Sequence, residues 1–587
     1  MPIDFRNTNS IWASVLVETL QRLGLAAAIL CPGSRSTPLT VAFAQHEKIE
    51  AIPILDERSA AFFALGLARQ THQPVVLVCT SGTAGANFYP ALIEARESRV
   101  PLLLLTADRP PELRDCNAGQ AIDQLKLFGT FPNWQTELAL PELSVELLTY
   151  LRQTVVHAWT RSRCPVPGPV HLNLPFRDPL APTPQPQATA FQTQFQTQFP
   201  AGKFWRSVAP PTQFPPAAPS SSALPLQDWQ SCSRGIIVAG PAQPESPEDY
   251  CLAIAHLSQF LAWPVLAEAL SPLRNYTQHN PNLVTTYDPM LRHPHLASQL
   301  VPEQVIRIGP LPTSKVLRRW LQTVSAQHWV VDACDRNLDP LHSNAQHLRL
   351  SIEQLARSIP PEPQPPKPYL KQWLIANTQL RQKIDRDMQA TNTLIEPKVA
   401  WSLSQILPHG TPFFIANSTP IRDAEWFWSP SNRNTCPYFN RGANGIDGTL
   451  STALGIAHRN QPSVLLTGDL ALLHDTNGFL LHHHWIGHLT IVLINNNGGG
   501  IFEMLPIAQF DPLFEDFFAT PQKIDFAHFC ATYRVAHQRI YTWQQLNAQL
   551  NPLPETGIRV LELQTHRRHD NHWRQRYLGQ LTAKAVE

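Results

Sequence analysis

Apolar and polar positions alternate along this chain in two rhythms, one helical and one of short continuous runs. Residues 8 to 23 (TNSIWASVLVETLQRL) place apolar side chains at helical spacing behind a Thr or Asn cap. Buried-strand patterns follow at Ala26 to Leu30, Ile49 to Leu55, Pro74 to Cys79, Val100 to Thr106 and Pro169 to Leu174. Helical stretches lie between them, at Ser59 to Gln70 and in a segment ending near Ala95. Strands that alternate with helices predict an α/β fold with a doubly wound parallel sheet. From Ala181 to Gln230 the rhythm collapses into ten prolines and a FQTQFQTQF run, which predicts an extended surface linker. Strand patterns resume near Arg234 and recur at Trp263 to Ala267, Gln304 to Ile308 and His328 to Asp332; a proline-rich joint follows at Pro360 to Pro368. A third unit opens with helices to about Pro408. Its strands are expected at Pro412 to Ala416, Cys436 to Asn440, Ser463 to Thr467 and Leu489 to Ile494, with Ile558 to Leu563 closing the sheet. The expected fold class is thus α/β with three doubly wound parallel-sheet domains, at 1–180, 231–360 and 361–587, and a Pro/Gln-rich linker at 181–230.

The stretch Ser463 to Phe502 carries the most specific chemistry. It reads as a βαβ unit whose two strands are joined by one helix. Parallel strands joined by a right-handed crossover bring both C-termini to one edge, so Asp469 and Asn496 are expected to meet there. A hard cation such as Mg²⁺ takes oxygen ligands in near-octahedral geometry and fills its remaining sites with phosphate and water. Asp469, Asn496 and a backbone carbonyl near Gly498 are the candidate ligands, and glycines 498 to 500 let backbone approach a diphosphate. The same residues also fit an ordinary strand-end Asp and an Asn/Gly turn. Three adjacent histidines, 482 to 484, fall within the expected crossover helix, where consecutive side chains point about 100° apart and cannot share one metal.

Length and charge narrow the field. At 587 residues the chain is too long for one core. Lys and Arg total 46 against 45 Asp and Glu, and a net charge of +1 without a basic stripe argues against a nucleic-acid partner. Any anion must therefore be held by a few placed cations. Nine cysteines without a CxxC pair read as reduced residues of a cytoplasmic protein. No apolar run reaches the length of a membrane span, and the N-terminus lacks the layout of a signal peptide, so no membrane association is expected.

Several further loops leave strand ends. Ser34 and Arg35, in CPGSRSTP, stand at a helix start where free N–H groups favour an anion, although taken by itself the loop is better read as capping by Ser34 or Ser36 with Arg35 in solvent. Glu57 heads the helix after the second strand, where an acidic residue also complements the macrodipole. Arg109 follows the strand ending at Thr106, and Gln120 lies in the polar loop after it. Lys315 starts a helix in the second unit, where a solvated lysine is the common outcome. Ser418, Arg422 and Arg441 leave strands of the third. The second unit has no GxGxxG after its first strand, so no dinucleotide is expected there. The His/Arg-rich tail from His566 to Arg576 receives no chemistry.

Taken together, CPGSRSTPL at 31, DERSAAFFALGLA at 56, TSGTA at 80, LTADRPPEL at 105, NRGANGIDG at 440 and the GDL and NNNGG pair resemble thiamine-diphosphate decarboxylases and carboligases. The resemblance is strongest to the 2-succinyl-5-enolpyruvyl-6-hydroxy-3-cyclohexene-1-carboxylate synthase family of menaquinone and phylloquinone biosynthesis, and it spares only the proline-rich linker. Leu470 departs from the commonest diphosphate motif, which has a small residue after the Asp. The resemblance implies a transferase that uses thiamine diphosphate with Mg²⁺ or Mn²⁺, decarboxylates 2-oxoglutarate and adds the remaining four-carbon unit to isochorismate. It makes 1–180 a pyrimidine-binding domain, 231–360 a central α/β domain and 361–587 a diphosphate-binding domain. It makes Glu57 the catalytic carboxylate that meets the pyrimidine ring, for which a raised pKa is expected. It assigns Gly468, Ile446, Phe502, Asn496 and Gly498 to the cofactor, and Asp469, Asn496 and Gly498 to the metal. It also implies that Ser34, Arg35, Arg109, Gln120, Lys315, Ser418, Arg422 and Arg441 bind the substrate carboxylates, which bidentate guanidinium groups do well. A homodimer or homotetramer with active sites at the subunit interface is implied too. A pyruvate-specific relative would not need so many arginines.

Overall fold

The computed structural model describes residues 3–210 and 224–583. Three six-stranded sheets are present among the described residues, with every pair of neighbouring strands parallel. The first contains β1 (Ala27–Leu30), β2 (Glu50–Pro53), β3 (Val75–Cys79), β4 (Leu102–Asp108), β5 (Trp134–Glu137) and β6 (Pro169–Pro175), in the order β2-β1-β3-β4-β6-β5. The second contains β7 (Gly235–Ala239), β8 (Val265–Ala267), β9 (Leu283–Val284), β10 (Gln304–Ile308), β11 (Gln327–Val331) and β12 (Ala345–Leu348), in the order β12-β11-β10-β7-β8-β9. The third contains β13 (Pro412–Ile415), β14 (Cys436–Tyr438), β15 (Ser463–Gly468), β16 (His488–Asn495), β17 (Ala536–Ile540) and β18 (Gly557–Gln564), in the order β14-β13-β15-β16-β18-β17. The three-sheet α/β class expected from the sequence is therefore the observed one. The second order reverses direction once, between β7 and β10; the first reverses between β1 and β3 and again at its β6-β5 edge, and the third between β13 and β15 and again at its β18-β17 edge. Such a reversal leaves a crevice at the strand C-termini, where α/β proteins bind ligands.

By contact density the chain divides into two compact units. One comprises residues 1–214, 440–460 and 474–487; the other comprises 215–439, 461–473 and 488–587. In the first unit, the helix Thr449–Ala457 lies directly against the helix Glu57–Thr71. A Cβ on Gly66 would stand 2.1 Å from the Thr452 carbonyl oxygen, and one on Gly455 would stand 2.1 Å from that of Phe63. The crossing is therefore backbone against backbone. In the second unit, Arg274 is buried between two sheets. Its Nε donates to Ala267 O at the end of β8, and its Nη1 and Nη2 donate to Glu425 O and Oε2 on the helix Thr419–Phe427. Among the described residues no helix is long and apolar enough to cross a membrane.

Three expectations require correction. The Ser463 to Phe502 crossover is not one helix: Asp469–His474 is helical and Thr476–His483 is a 3₁₀ segment. The break falls at Asp475, whose carboxylate accepts from Ser451 N and Ser451 Oγ instead of facing solvent on a helix. The three histidines thus close a 3₁₀ turn, and the side chains of His482 and His483 lie outside the described residues. The 181–230 segment is not uniformly extended. Pro186–Gln198 is a helix that buries Ala188, Phe191 and Phe195 in the first core, because these recur at helical spacing among the Gln and Thr positions. A short helix, Leu226–Ser231, follows, and residues 211–223 lie outside the described set. Finally, β18 does not close its sheet, since β17 pairs outside it from Ala536 to Ile540.

Two outcomes follow from this packing. Gly455→Ala adds a good helix former, yet we expect it to lower the unfolding midpoint, costing about 1–3 kcal/mol by forcing the helix pair apart; an unchanged or raised midpoint in a thermal melt contradicts the close crossing. His171, buried in β6 against Thr106 Oγ1 at 2.7 Å, has its pKa lowered by burial to about 3 from 6.5. The unfolded chain binds the proton that the folded one refuses, so this residue's contribution is complete above pH 6.5 and declines as pH falls toward 3. The slope is at most about 1.4 kcal/mol per pH unit. The stability gap between wild type and His171→Gln should therefore shrink between pH 7 and pH 5 in parallel melts, and a constant gap contradicts the assignment.

Candidate active site

In the first unit, Glu57 opens its helix next to the N-cap Asp56. The Asp56 carboxylate accepts from Ser59 N at 2.9 Å and from Asn477 Nδ2 at 2.6 Å, which fixes the helix start. Glu57 is half-buried, and desolvation reinforced by the neighbouring Asp56 charge pushes its carboxyl above the ordinary range. A carboxyl raised by burial is the kind of group that proton-transfer sites use.

The arginine loops of this unit converge at the reversal between β1 and β3. Ser34 is exposed after β1, while Arg35 is buried and donates from Nη1 to Phe176 O at 2.9 Å. The Arg35 Nε is buried and has no hydrogen-bond partner, a donor left for an anion. Ser81, buried after β3, joins two other candidates: Arg109 Nη1 donates to its Oγ at 3.2 Å, and Gln120 Nε2 approaches its carbonyl at 3.4 Å. Sequence reasoning passed over Ser81, although it sits in the TSGTA run.

Arg441 and Ile446 lie on the loop that precedes the helix Thr449–Ala457. Glu94 holds this loop: its carboxylate accepts Gly442 N at 2.9 Å and Ala443 N at 2.7 Å, and its charge is balanced by Arg69 Nη2 at 2.9 Å. Glu94 was also missed. Its sequence signal is a lone charge on the buried stripe of Ala91, Leu92 and Ala95. A cavity of about 180 Å³ lies here, lined by Phe62, Glu94, Ala443, Gly445 and Asp447.

In the second unit, Asp469 stands at the end of β15 and Asn496 just beyond β16, brought to one edge by their register (Gly468 opposite Ile494). Asp469 Oδ2 accepts Gly498 N at 2.8 Å and Oδ1 accepts Leu470 N at 2.8 Å. Burial raises the Asp469 carboxyl to about 6, against the lowering effect of those N–H groups. Gly498 has φ +130°, and a Cβ there would meet Ala519 O at 2.3 Å, so only glycine serves. Beside Gly468 a Cβ would find open space. A cavity of about 330 Å³ at this edge is lined by Asp469, Asn497, Lys523 and Thr565 among others.

Asn496 is buried, and its Nδ2 donates to Glu396 Oε1 at 2.7 Å, whereas its Oδ1 is buried with no hydrogen-bond partner. A buried oxygen left unpaired at a sheet edge that also carries the Asp469 carboxylate is what a hard cation would take up. Among the described residues no three His, Cys, Asp or Glu side chains form a metal cluster, so the oxygen set is one carboxylate, one amide and backbone. That set suits Mg²⁺ or Mn²⁺ completed by phosphate and water.

The second unit also gathers Lys315, Arg422 and Phe502 around one cavity of about 1030 Å³, shared with Arg292, Arg319 and Glu425. Arg422 Nη1 donates to Ser418 O at 2.6 Å, and Ser418 itself has φ +79°, which turns the chain sharply after β13. Lys315 is exposed behind the N-cap Ser314, whose Oγ accepts Leu317 N and donates to the buried Asp288.

Comparison with known proteins identifies the family and the fold. Residues 12–127 match a family model described as the N-terminal TPP binding domain of thiamine pyrophosphate enzymes, and residues 196–415 match one described as the middle domain of thiamine pyrophosphate. The chain is 59% identical to the 2-succinyl-5-enolpyruvyl-6-hydroxy-3-cyclohexene-1-carboxylate synthase of Trichormus variabilis, with 100% of both chains covered. It is 60% identical to the synthase of the same name from Acaryochloris marina, with 98% of each covered. An X-ray structure from Mycobacterium smegmatis, described as a thiamin diphosphate-dependent enzyme, superposes with a TM-score of 0.68 at 17% identity, covering 94% of this chain and 99% of that one, which supports the fold. The loop chemistry, the sheet architecture and full-length identity of this order lead to one conclusion: the chain belongs to the 2-succinyl-5-enolpyruvyl-6-hydroxy-3-cyclohexene-1-carboxylate synthase family of thiamine-diphosphate-dependent enzymes.

Proposed function

We propose that the chain catalyses the thiamine-diphosphate-dependent decarboxylation of 2-oxoglutarate and the conjugate addition of the remaining four-carbon unit to isochorismate. The product is 2-succinyl-5-enolpyruvyl-6-hydroxy-3-cyclohexene-1-carboxylate, with release of CO₂, in menaquinone or phylloquinone biosynthesis. The observation that carries the cofactor reading is the buried, unpaired Asn496 Oδ1 at the sheet edge that also carries Asp469. When bound, the cofactor supplies the electron sink that lets a 2-oxo acid lose CO₂ and the carbon nucleophile that follows.

The chain's own residues divide the remaining work. Asp469, Asn496 and the Gly498 backbone would hold Mg²⁺ or Mn²⁺ and, through it, the diphosphate. Gly468 leaves room for the phosphates, and Ile446 and Phe502 would wall the rings. Glu57 would hold a proton against the pyrimidine nitrogen, a task for which its raised pKa suits it. The substrates bring four carboxylates in all, and the fixed cations answer them: Arg35, Arg109 and Arg441 with Ser34 and Gln120 in one unit, Lys315 and Arg422 with Ser418 in the other. Arg35 Nε has a donor to spend, and Lys315 and Arg422 face the same cavity. The enzyme is further proposed to be a homodimer or homotetramer with its active sites at the subunit interface, which sedimentation of the holoenzyme as a monomer would contradict. A cytoplasmic location suits its nine free cysteines, which a reducing compartment keeps as thiols.

Mass spectrometry of the product from 2-oxoglutarate plus isochorismate tests the reaction. Turnover of pyruvate in place of 2-oxoglutarate, with no succinylated product, would favour a decarboxylase or acetolactate-type ligase instead. Glu57→Gln should lower kcat by about 10²–10⁴ while calorimetry finds thiamine diphosphate bound nearly as before; undiminished turnover removes Glu57 from the chemistry. Arg422→Ala should raise the KM for one of the two substrates by about 10–100-fold, the worth of a charged hydrogen bond. Saturation curves for each substrate in turn identify which carboxylate it meets, and unchanged curves for both remove it from the site.

A further inference from the structure

The C-terminal helix Arg567–Ala583 turns a polar stripe inward. Arg567, Asp570, Asn571 and Arg574 recur at spacings of three, four and seven, the period of one helix face, and all four are buried. Each reaches a loop of the metal edge or its support. Arg567 Nη1 donates to Asn497 O at 2.8 Å, and Asn571 Nδ2 donates to Glu503 O at 2.9 Å, next to Phe502. Asp570 Oδ2 accepts Glu396 N at 3.1 Å. Arg574 is clamped by Asp423 through Nε at 2.7 Å and Nη2 at 2.6 Å, and its Nη2 also donates to Glu396 Oε2. The other Glu396 oxygen accepts Asn496 Nδ2.

An unbroken chain, Asp423 to Arg574 to Glu396 to Asn496, thus ends on the amide whose oxygen is unpaired. An asparagine amide has an acceptor end and a donor end of nearly the same shape, and only the acceptor can meet a cation. A carboxylate held by a guanidinium can only accept, so it binds the donor end and turns the oxygen away from itself. Burying so many charges gives no general gain in stability over apolar packing, which leaves orientation as what the chain provides. We propose that Glu396, anchored by Arg574, is a positioning residue that fixes the Asn496 amide with its oxygen toward the divalent cation. This rests on the cofactor reading above and adds to it a role for the C-terminal helix.

The test measures Mg²⁺ affinity of the full-length protein by calorimetry at saturating thiamine diphosphate, independent of turnover. Glu396→Gln, which can also donate and so lets the Asn496 amide reverse, should weaken Mg²⁺ binding about 10–100-fold. In an Asn496→Ala background the same change should alter affinity less than about twofold, because there is no amide left to orient. An equal loss in both backgrounds marks a merely structural effect and overturns the inference. If Glu396→Gln fails to fold, Asn496→Asp carries the test. A second carboxylate facing Glu396 cannot take the same hydrogen bond, so Mg²⁺ binding should weaken despite the added charge, and tighter binding overturns the proposal. A wild type that takes thiamine diphosphate equally with and without Mg²⁺ overturns the cofactor reading and this inference together. A wild type that needs Mg²⁺, while Glu396→Gln binds it as tightly, overturns this inference alone.

Discussion

The hydrogen bond from Gly498 N to Asp469 ties the ends of two adjacent parallel strands, and the candidate metal edge depends on it. Without it the loop after β16 would be free to move away from the end of β15, and the amide of Asn496 with it. The bond is possible because the strands are in register to their last residues, so the two loops leave the sheet side by side. It also needs a residue at 498 that tolerates a positive φ and leaves space for the Ala519 carbonyl. Backbone conformation, sheet register and candidate metal ligands are thus one constraint rather than three.

Around that edge the interior carries several buried ion pairs. Glu396 and Asp423 share Arg574, Arg567 reaches Glu503 at 3.0 Å, and Arg274 joins Glu425 in the same unit. Burial pushes the Glu425 carboxyl up, against the lowering effect of the Arg274 charge. The first unit follows the same logic more sparingly, with Glu94 neutralised by Arg69 while it grips two backbone N–H groups. In both units the candidate ligand-binding residues are held by other polar residues, themselves buried, and seldom by apolar packing alone.

Much of this was legible from residue order. The central strands announce themselves as apolar runs because both their faces are covered, and loops with hydroxyls, glycines and arginines follow them in sequence. The strands that escaped, β5, β9, β12 and β17, lie at sheet edges. WQTE, AQHL and AHQRI are half-polar because one side meets solvent, and β9 has two residues only. The helix of Phe191 and Phe195 was hidden by its Gln and Thr neighbours and by the prolines around it. Asp469, Asn496 and Glu57 were readable because their spacing to glycines and strand ends is local. Ser81, Glu94 and Glu396 were not, because their partners lie far away in sequence: Glu94 meets Gly442, and Glu396 meets Asn496 and Arg574. The tail helix shows the same limit, since a row of Arg and His reads as a solvated end until the fold buries one side of it.

The glycine crossing between the helices Glu57–Thr71 and Thr449–Ala457 has a mechanical consequence. Side chains between helices act as springs, changing rotamer to absorb small displacements, but here peptide atoms meet peptide atoms. The spacing of the two axes is therefore set by atomic radii and has almost no compliance. Glu57 begins one of these helices and Ile446 precedes the other, so the reach of the carboxylate and the place of that loop are gauged against a hard stop.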